Sequence, residues 1–176
     1  MLVETERFGA LEVESEAVIE IAEGLYGFEQ ARRFCLIDHN GKSSFRWLQC
    51  LDSPGLAFVV VSPYDFFANY EVELEDQEAN AIELRAPEDA VILNLVTLGP
   101  DPKEATANLV GPIVLNAKTR KAKQVVLANQ AYSTKHRLLP EVPAEPAAIV
   151  GRACQARRTA PGGGDTHPRP TARTGQ

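Results

Sequence analysis

Apolar and polar residues alternate in short runs through the first 140 residues, and turn residues cut these runs at intervals suited to strands. Leu2–Glu6 and Ala10–Glu14 read as the arms of a hairpin around Arg7-Phe8-Gly9, with Leu11 and Val13 alternating with Glu12 and Glu14. Ala17–Ile21 predicts a third strand, alternating Val18 and Glu20. The loop Glu23–Phe28 holds Gly24 and Gly27, which predict positive φ or a close backbone approach. Arg33–Asp38 and Phe45–Leu51 flank His39-Asn40-Gly41-Lys42, whose Asn-Gly is a hairpin signal. Pro54-Gly55 turns the chain into Leu56–Ser62, and Pro63 ends that strand because it cannot donate to a ladder. Tyr70–Leu74 predicts a further strand. Asp76–Leu84 predicts a helix capped by Asp76, with Ala79, Ile82 and Leu84 facing inward. Val91–Leu98 is a near-continuous apolar strand, broken by Asn94. Leu109–Leu115 and Gln124–Ala128 form the last pair, joined by the basic turn Lys118–Lys123.

About ten short strands with one or two short helices predict an all-β fold, an antiparallel pseudo-barrel or sandwich. A doubly wound α/β fold is excluded, because helices do not alternate with strands. From Glu141 the pattern fails: Pro143, Pro146, Pro161, Pro168 and Pro170 mix with Gly162-Gly163-Gly164. Such a segment buries too little apolar surface to offset its backbone entropy. The expected organisation is a β domain over 1–140 and a disordered tail over 141–176.

Composition narrows the class. Hydrophobic residues make up 44% of the 176-residue chain, enough for a single core. No apolar run approaches the roughly 20 residues of a membrane helix, and Met1-Leu2-Val3-Glu4 lacks a signal-peptide layout. A cytoplasmic protein is expected. Cys35 and Cys50 sit in apolar contexts and read as small core hydrophobes, while Cys154 falls in the tail. Residues 1–104 hold 21 acids and 7 Lys/Arg, residues 105–140 hold 6 Lys/Arg and no acid, and the tail holds 3 acids and 5 arginines. So acidic a body repels nucleic acid and attracts basic partners.

The chemistry of catalysis is missing from the sequence. There is no HExxH, GxSxG or P-loop, and His39, His136 and His167 show no ligand spacing. No catalytic residue, metal or cofactor is expected. The aromatic stretch Pro63-Tyr64-Asp65-Phe66-Phe67-Ala68-Asn69-Tyr70-Glu71 exceeds the needs of a plain loop. It either caps an open barrel end or anchors a partner, since Tyr and Phe are enriched at interfaces. Lone Trp47 reads as core, and the basic turn reads as a solvated hairpin tip rather than a phosphate contact.

Several motifs in order resemble the flagellar assembly factor FliW family. They are Gly24-Leu25-Tyr26-Gly27-Phe28-Glu29, Trp47-Leu48-Gln49, Ala57–Pro63 with Phe66-Phe67 and Tyr70-Glu71, Thr106-Ala107-Asn108-Leu109, Pro112–Asn116 and Gln124–Leu127. The chain departs from the family at Tyr26, where a proline usually stands between the glycines, and in its Pro/Gly-rich tail. The resemblance implies a compact pseudo-barrel that binds other proteins. Its implied partners are CsrA, a basic RNA-binding repressor of flagellin translation, and flagellin itself, with no direct contact to nucleic acid or membrane. Tyr70 and Glu71 are the candidates for contact with CsrA. The loop Tyr64–Tyr70, with Phe66 and Phe67, and the strand Asn108–Asn116, with Leu109, are the candidates for a groove that receives flagellin. The alternative is a flagellin-only chaperone without a CsrA partner. An RNA-binding barrel is disfavoured because stacking faces sit in basic grooves.

Overall fold

The computed structural model describes residues 1–38 and 43–138, together with the backbone of 157–158. The chain opens with a hairpin, β1 (Leu2–Thr5) and β2 (Gly9–Glu12), paired from Leu2↔Glu12 to Thr5↔Gly9. Ser15–Ala17 forms a 3-10 turn, so the predicted third strand starts late, as β3 (Ile19–Ile21). Then come β4 (Arg33–Asp38), β5 (Phe45–Cys50) and β6 (Ala57–Val61). A six-residue helix α1 (Asp76–Ala81) precedes β7 (Ala90–Thr97). Two-residue β8 (Thr106–Ala107), β9 (Ile113–Asn116), β10 (Lys121–Gln124) and two-residue β11 (His136–Arg137) complete the domain. Neither two-residue strand is foreseen by the sequence pattern, since such a segment has no period to read.

Strands β3, β4, β5, β6, β7, β9 and β10 close into a seven-stranded barrel, and β8 and β11 extend its edge beyond β7. Six joints of the ring are antiparallel, and β10 pairs with β3 in parallel. That exception is forced, because an odd ring cannot alternate direction at every joint.

The barrel interior is lined by alternate residues, among them Ile19, Ile21, Phe34, Leu36, Leu48, Val60, Leu93, Ile113 and Leu115. Their neighbours face outward into two further apolar layers. Cys35 and Ile37 of β4 lie under the hairpin with Leu11, Val13 and Leu51. Ile92 and Val114 lie under the aromatic stretch and α1 with Tyr70, Ile82 and Leu109. Strands buried on both faces read as continuous apolar runs, which is why β4 and β7 lack clean alternation.

Several predicted elements are corrected. Tyr70–Leu74 is not in a ladder: no neighbouring strand lies beside it among the described residues, and the Glu71 N–H donates to the Tyr132 hydroxyl (2.8 Å). Of Gln124–Ala128, only Gln124 belongs to a ladder strand. Leu109–Leu115 starts pairing only at Ile113, because the Asn108 side-chain oxygen takes the Val110 and Gly111 amides (3.1 and 3.0 Å) and Pro112 has none to offer. The cap of α1 is Glu75 rather than Asp76, since Glu75 and Glu78 bond reciprocally to each other's backbone amides. Ile82 is buried as expected, while Ala79 and Leu84 are half-buried. The predicted turn at 39–42 and the predicted tail from Glu141 lie outside the described residues. The exception is β12 (Arg157–Arg158), whose backbone pairs antiparallel with β2, Arg157↔Glu12 and Arg158↔Leu11.

Candidate protein-binding surface

Pro63 ends β6 and, with its fixed φ, starts a 3-10 turn over Pro63–Asp65. The aromatic stretch that follows folds back over β7 and β9. Phe66 packs between Phe45 (6.0 Å) and Phe67 (6.4 Å), and Phe67 meets His136 edge-on at 5.0 Å. Tyr70 is buried; its hydroxyl donates to the Leu109 carbonyl (2.7 Å) and accepts from Asn94 Nδ2 (3.3 Å). Burial, opposed by the Asn94 bond and aided by Tyr132 and Tyr64, pushes the Tyr70 phenol from 10.0 up to about 12. Asn94 also donates to the Asn108 carbonyl (2.6 Å), so the polar residue that interrupts the apolar run of β7 ties the aromatic stretch to the segment before β9. Asn116, 2% exposed, donates to the Ile82 and Glu83 carbonyls (both 3.0 Å) and accepts from the Lys118 and Thr119 amides. It pins the end of the α1 segment to the barrel.

The candidate residues therefore divide. Tyr70, Leu109 and Asn116 are buried, Phe66, Phe67 and Asn108 are half-buried, and Tyr64 (49% exposed) and Glu71 face solvent. Phe67, Tyr70 and Leu109 line one cavity of about 260 Å³ with Tyr132 and His136. Tyr64 instead lines a larger apolar groove of about 610 Å³, with Val72, Leu74, Ala79, Leu84 and Ile92. Asn116 lines neither. Sequence reasoning passed over Val72 and Leu74; their alternation with Glu71, Glu73 and Glu75 was the available signal.

A second aromatic surface surrounds the Gly24–Gly27 loop. Both glycines have positive φ (+72° and +84°), and a Cβ on Gly24 would meet Glu29 Cα at 2.6 Å. The Tyr26 N–H donates to Gln124 Oε1 (2.9 Å), leaving the Tyr26 ring 61% exposed beside Phe28, which packs on Phe58 at 5.0 Å.

Charge is compensated unevenly. Lys118, Lys121 and Lys123 of the basic turn pair with Asp89 (2.7 Å), Glu83 (2.6 Å) and Glu23 (3.0 Å). Glu71 and Glu73 are exposed and have no ion-pair partner among the described residues. Cys35 and Cys50 are free and buried, and burial, with Cys50 adding to it, pushes the Cys35 thiol from 9.0 up to about 11. Trp47 is half-buried, with Phe8 at its edge (5.7 Å) and the Arg7 guanidinium 4.5 Å from its ring centre. Among the described residues no helix is long and apolar enough to cross a membrane, and no cluster of His, Cys, Asp and Glu could hold a metal.

This arrangement offers apolar grooves, exposed aromatic rings and free carboxylates, the equipment of a binding surface. Known proteins resemble the chain in sequence and in fold. The chain is 40% identical over 142 residues to the flagellar assembly factor FliW of Treponema denticola, covering 81% of this chain and 96% of that one. It is 35% identical over 136 residues to the flagellar assembly factor FliW of Bacillus subtilis, covering 77% and 95%. A crystal structure of the flagellar assembly factor FliW superposes with a TM-score of 0.74 at 32% identity, over 80% of this chain and 99% of that one. The family model described as FliW protein matches residues 2–138, the whole of the barrel with both of its outer layers. The chain belongs to the FliW family of flagellar assembly factors.

Proposed function

We propose that the protein is a cytoplasmic partner switch that binds the translational regulator CsrA and flagellin in turn. When flagellin is plentiful it occupies the protein; when export drains flagellin, the freed protein takes CsrA from the flagellin message and translation resumes. The observation that carries this reading is the uncompensated acidic surface at Glu71 and Glu73, while Lys118, Lys121 and Lys123 of the basic turn are already paired with Asp89, Glu83 and Glu23. A protein that binds RNA carries positive charge, so such a surface attracts it and repels its RNA at once. The apolar groove between Tyr64, Val72, Leu74 and Leu84 supports a place for a helical flagellin segment.

Linkage tests the switch. If flagellin weakens CsrA binding by some factor, CsrA must weaken flagellin binding by the same factor, ordinarily about 1–3 kcal/mol, or without limit under direct overlap. Labelled CsrA is bound to the protein, flagellin is added, and release is followed. Release with reciprocal coupling is expected, together with weaker CsrA binding at high salt and in Glu71→Lys. A stable ternary complex with both affinities unchanged would falsify the switch. If only flagellin co-purifies, the protein is a flagellin chaperone.

A further inference from the structure

Two segments that carry strand patterns in the sequence, 70–74 and 125–128, each keep a backbone edge outside any ladder, with the Glu71 N–H of the first taken by the Tyr132 hydroxyl. They face each other across a groove of about 520 Å³, lined by Glu71, Glu73, Glu75 and Glu78 on one wall and Val126 and Ala128 on the other. On the second wall, the Val125 and Leu127 N–H groups donate to the Pro112 and Val110 carbonyls (2.9 and 2.8 Å). In an extended chain successive residues turn their N–H and C=O groups to opposite edges. Val126 and Ala128 therefore turn theirs away from the barrel, and their N–H groups have no partner among the described residues. Val126 is also 63% exposed, an apolar side chain beside an open edge. On the first wall, Glu71, Glu73 and Glu75 are exposed while Val72 and Leu74 are half-buried, so the three side chains leave on one face, the Glu75 carboxylate also accepting the Glu78 N–H at the start of α1. Their period of two places them about 6.5–7 Å apart.

We propose that this groove is a strand-addition site: an extended segment of a partner protein pairs with the Val126–Ala128 edge and sets Lys or Arg residues, spaced by two, against Glu71, Glu73 and Glu75. Backbone bonds then supply affinity, and the alternating carboxylates supply specificity. The occupant is a basic strand, because the open edge admits any backbone whereas the carboxylate row repels acidic and favours cationic side chains at every second position. A basic helix does not fit, since its side chains recur at three and four residues. The proposal rests on the reading of this protein as a binder of a basic partner, and goes beyond it in naming the site and the pattern recognised.

The test uses the full chain and two labelled lysine peptides of one composition, at low salt, read by fluorescence anisotropy. One peptide carries lysine at every second position between valine and threonine, and the other carries its lysines in one block. The alternating peptide is expected to bind about tenfold tighter, a difference of about 1.4 kcal/mol, and methylating its edge-facing amides removes that advantage. Val126→Pro removes an edge donor that the barrel does not use, and Glu73→Lys breaks the carboxylate row. Each is expected to weaken the alternating peptide about tenfold, with an unfolding midpoint near that of the wild type. Equal binding of the two peptides, or a silent Val126→Pro, overturns strand addition in favour of diffuse attraction. Binding seen only after residues 139–176 are removed overturns it in favour of the chain's own arginine-bearing segment as occupant. The CsrA and flagellin titration on the same preparations separates the two readings: a working switch in a Val126→Pro variant that also binds the peptide normally sinks the site and leaves the switch standing.

Discussion

Two layers cover the outside of the barrel, and they are built differently. The hairpin β1–β2 covers β4 with a ladder of its own, and Leu11 and Val13, both 0% exposed, fill the space above Cys35 and Ile37. The aromatic and acidic segment 63–84 covers β7 and β9 with no ladder and is held by side chains instead. Tyr70 reaches Leu109, Tyr132 takes the Glu71 amide, and Asn116 takes the Ile82 and Glu83 carbonyls. Both layers bury apolar side chains. A ladder consumes backbone donors and acceptors and so closes a surface, whereas side-chain anchors leave the backbone edge open to another chain.

The largest effect should come from the laddered layer. Leu11→Ala removes a fully buried side chain and should cost about 2–5 kcal/mol in urea unfolding. Tyr70→Phe in the other layer should cost less, about 1–3 kcal/mol, because it leaves the Leu109 carbonyl without its donor while the ring stays packed. If Tyr70→Phe costs more than Leu11→Ala, the side-chain-anchored layer is the stronger one and the comparison inverts.

Alkaline titration sharpens the contrast. Each layer shelters a group whose pKa burial raises strongly in the fold, Cys35 to about 11 and Tyr70 to about 12. A raised pKa means the fold favours the protonated form, so the stabilisation is whole below the ordinary value and is lost as pH rises through the folded one. Stability tied to Cys35 should fall between pH 9.0 and about 11, and that tied to Tyr70 between pH 10.0 and about 12. Cys35→Ala should erase the first step and Tyr70→Phe the second, read as unfolding free energy against pH.

The smallest effect concerns the tail. Removing residues 139–176 takes away the two-residue pairing of β12 with β2. A net hydrogen bond contributes only about 0.5–1.5 kcal/mol, so the loss in stability should stay near 1 kcal/mol. A larger fall would show that the tail docks on the hairpin with more than two residues.

Much of this could be read along the chain. The glycines at 24 and 27 announce their positive φ, and Pro63 marks the end of β6. Cys35 and Cys50 are core residues, as their apolar neighbours imply. The candidate site was only half legible. Tyr64 and Glu71 are exposed, but nothing local to Tyr70, Leu109 or Asn116 says that tertiary hydrogen bonds bury them.

The sequence by itself determined where the chain extends, where it turns and which face of each segment is apolar, because side-chain period and backbone preference act over a few residues. Only the tertiary structure decided which extended segments find a neighbour. A ladder needs a second strand about 4.8 Å away, and that is a property of how the ring closes. Closure over an odd number of strands forced the parallel joint between β3 and β10, which lie about a hundred residues apart along the chain. It also left Tyr70–Leu74 and Val125–Ala128 with strand patterns and an unpaired edge, since no described segment of this chain lies there to pair with them.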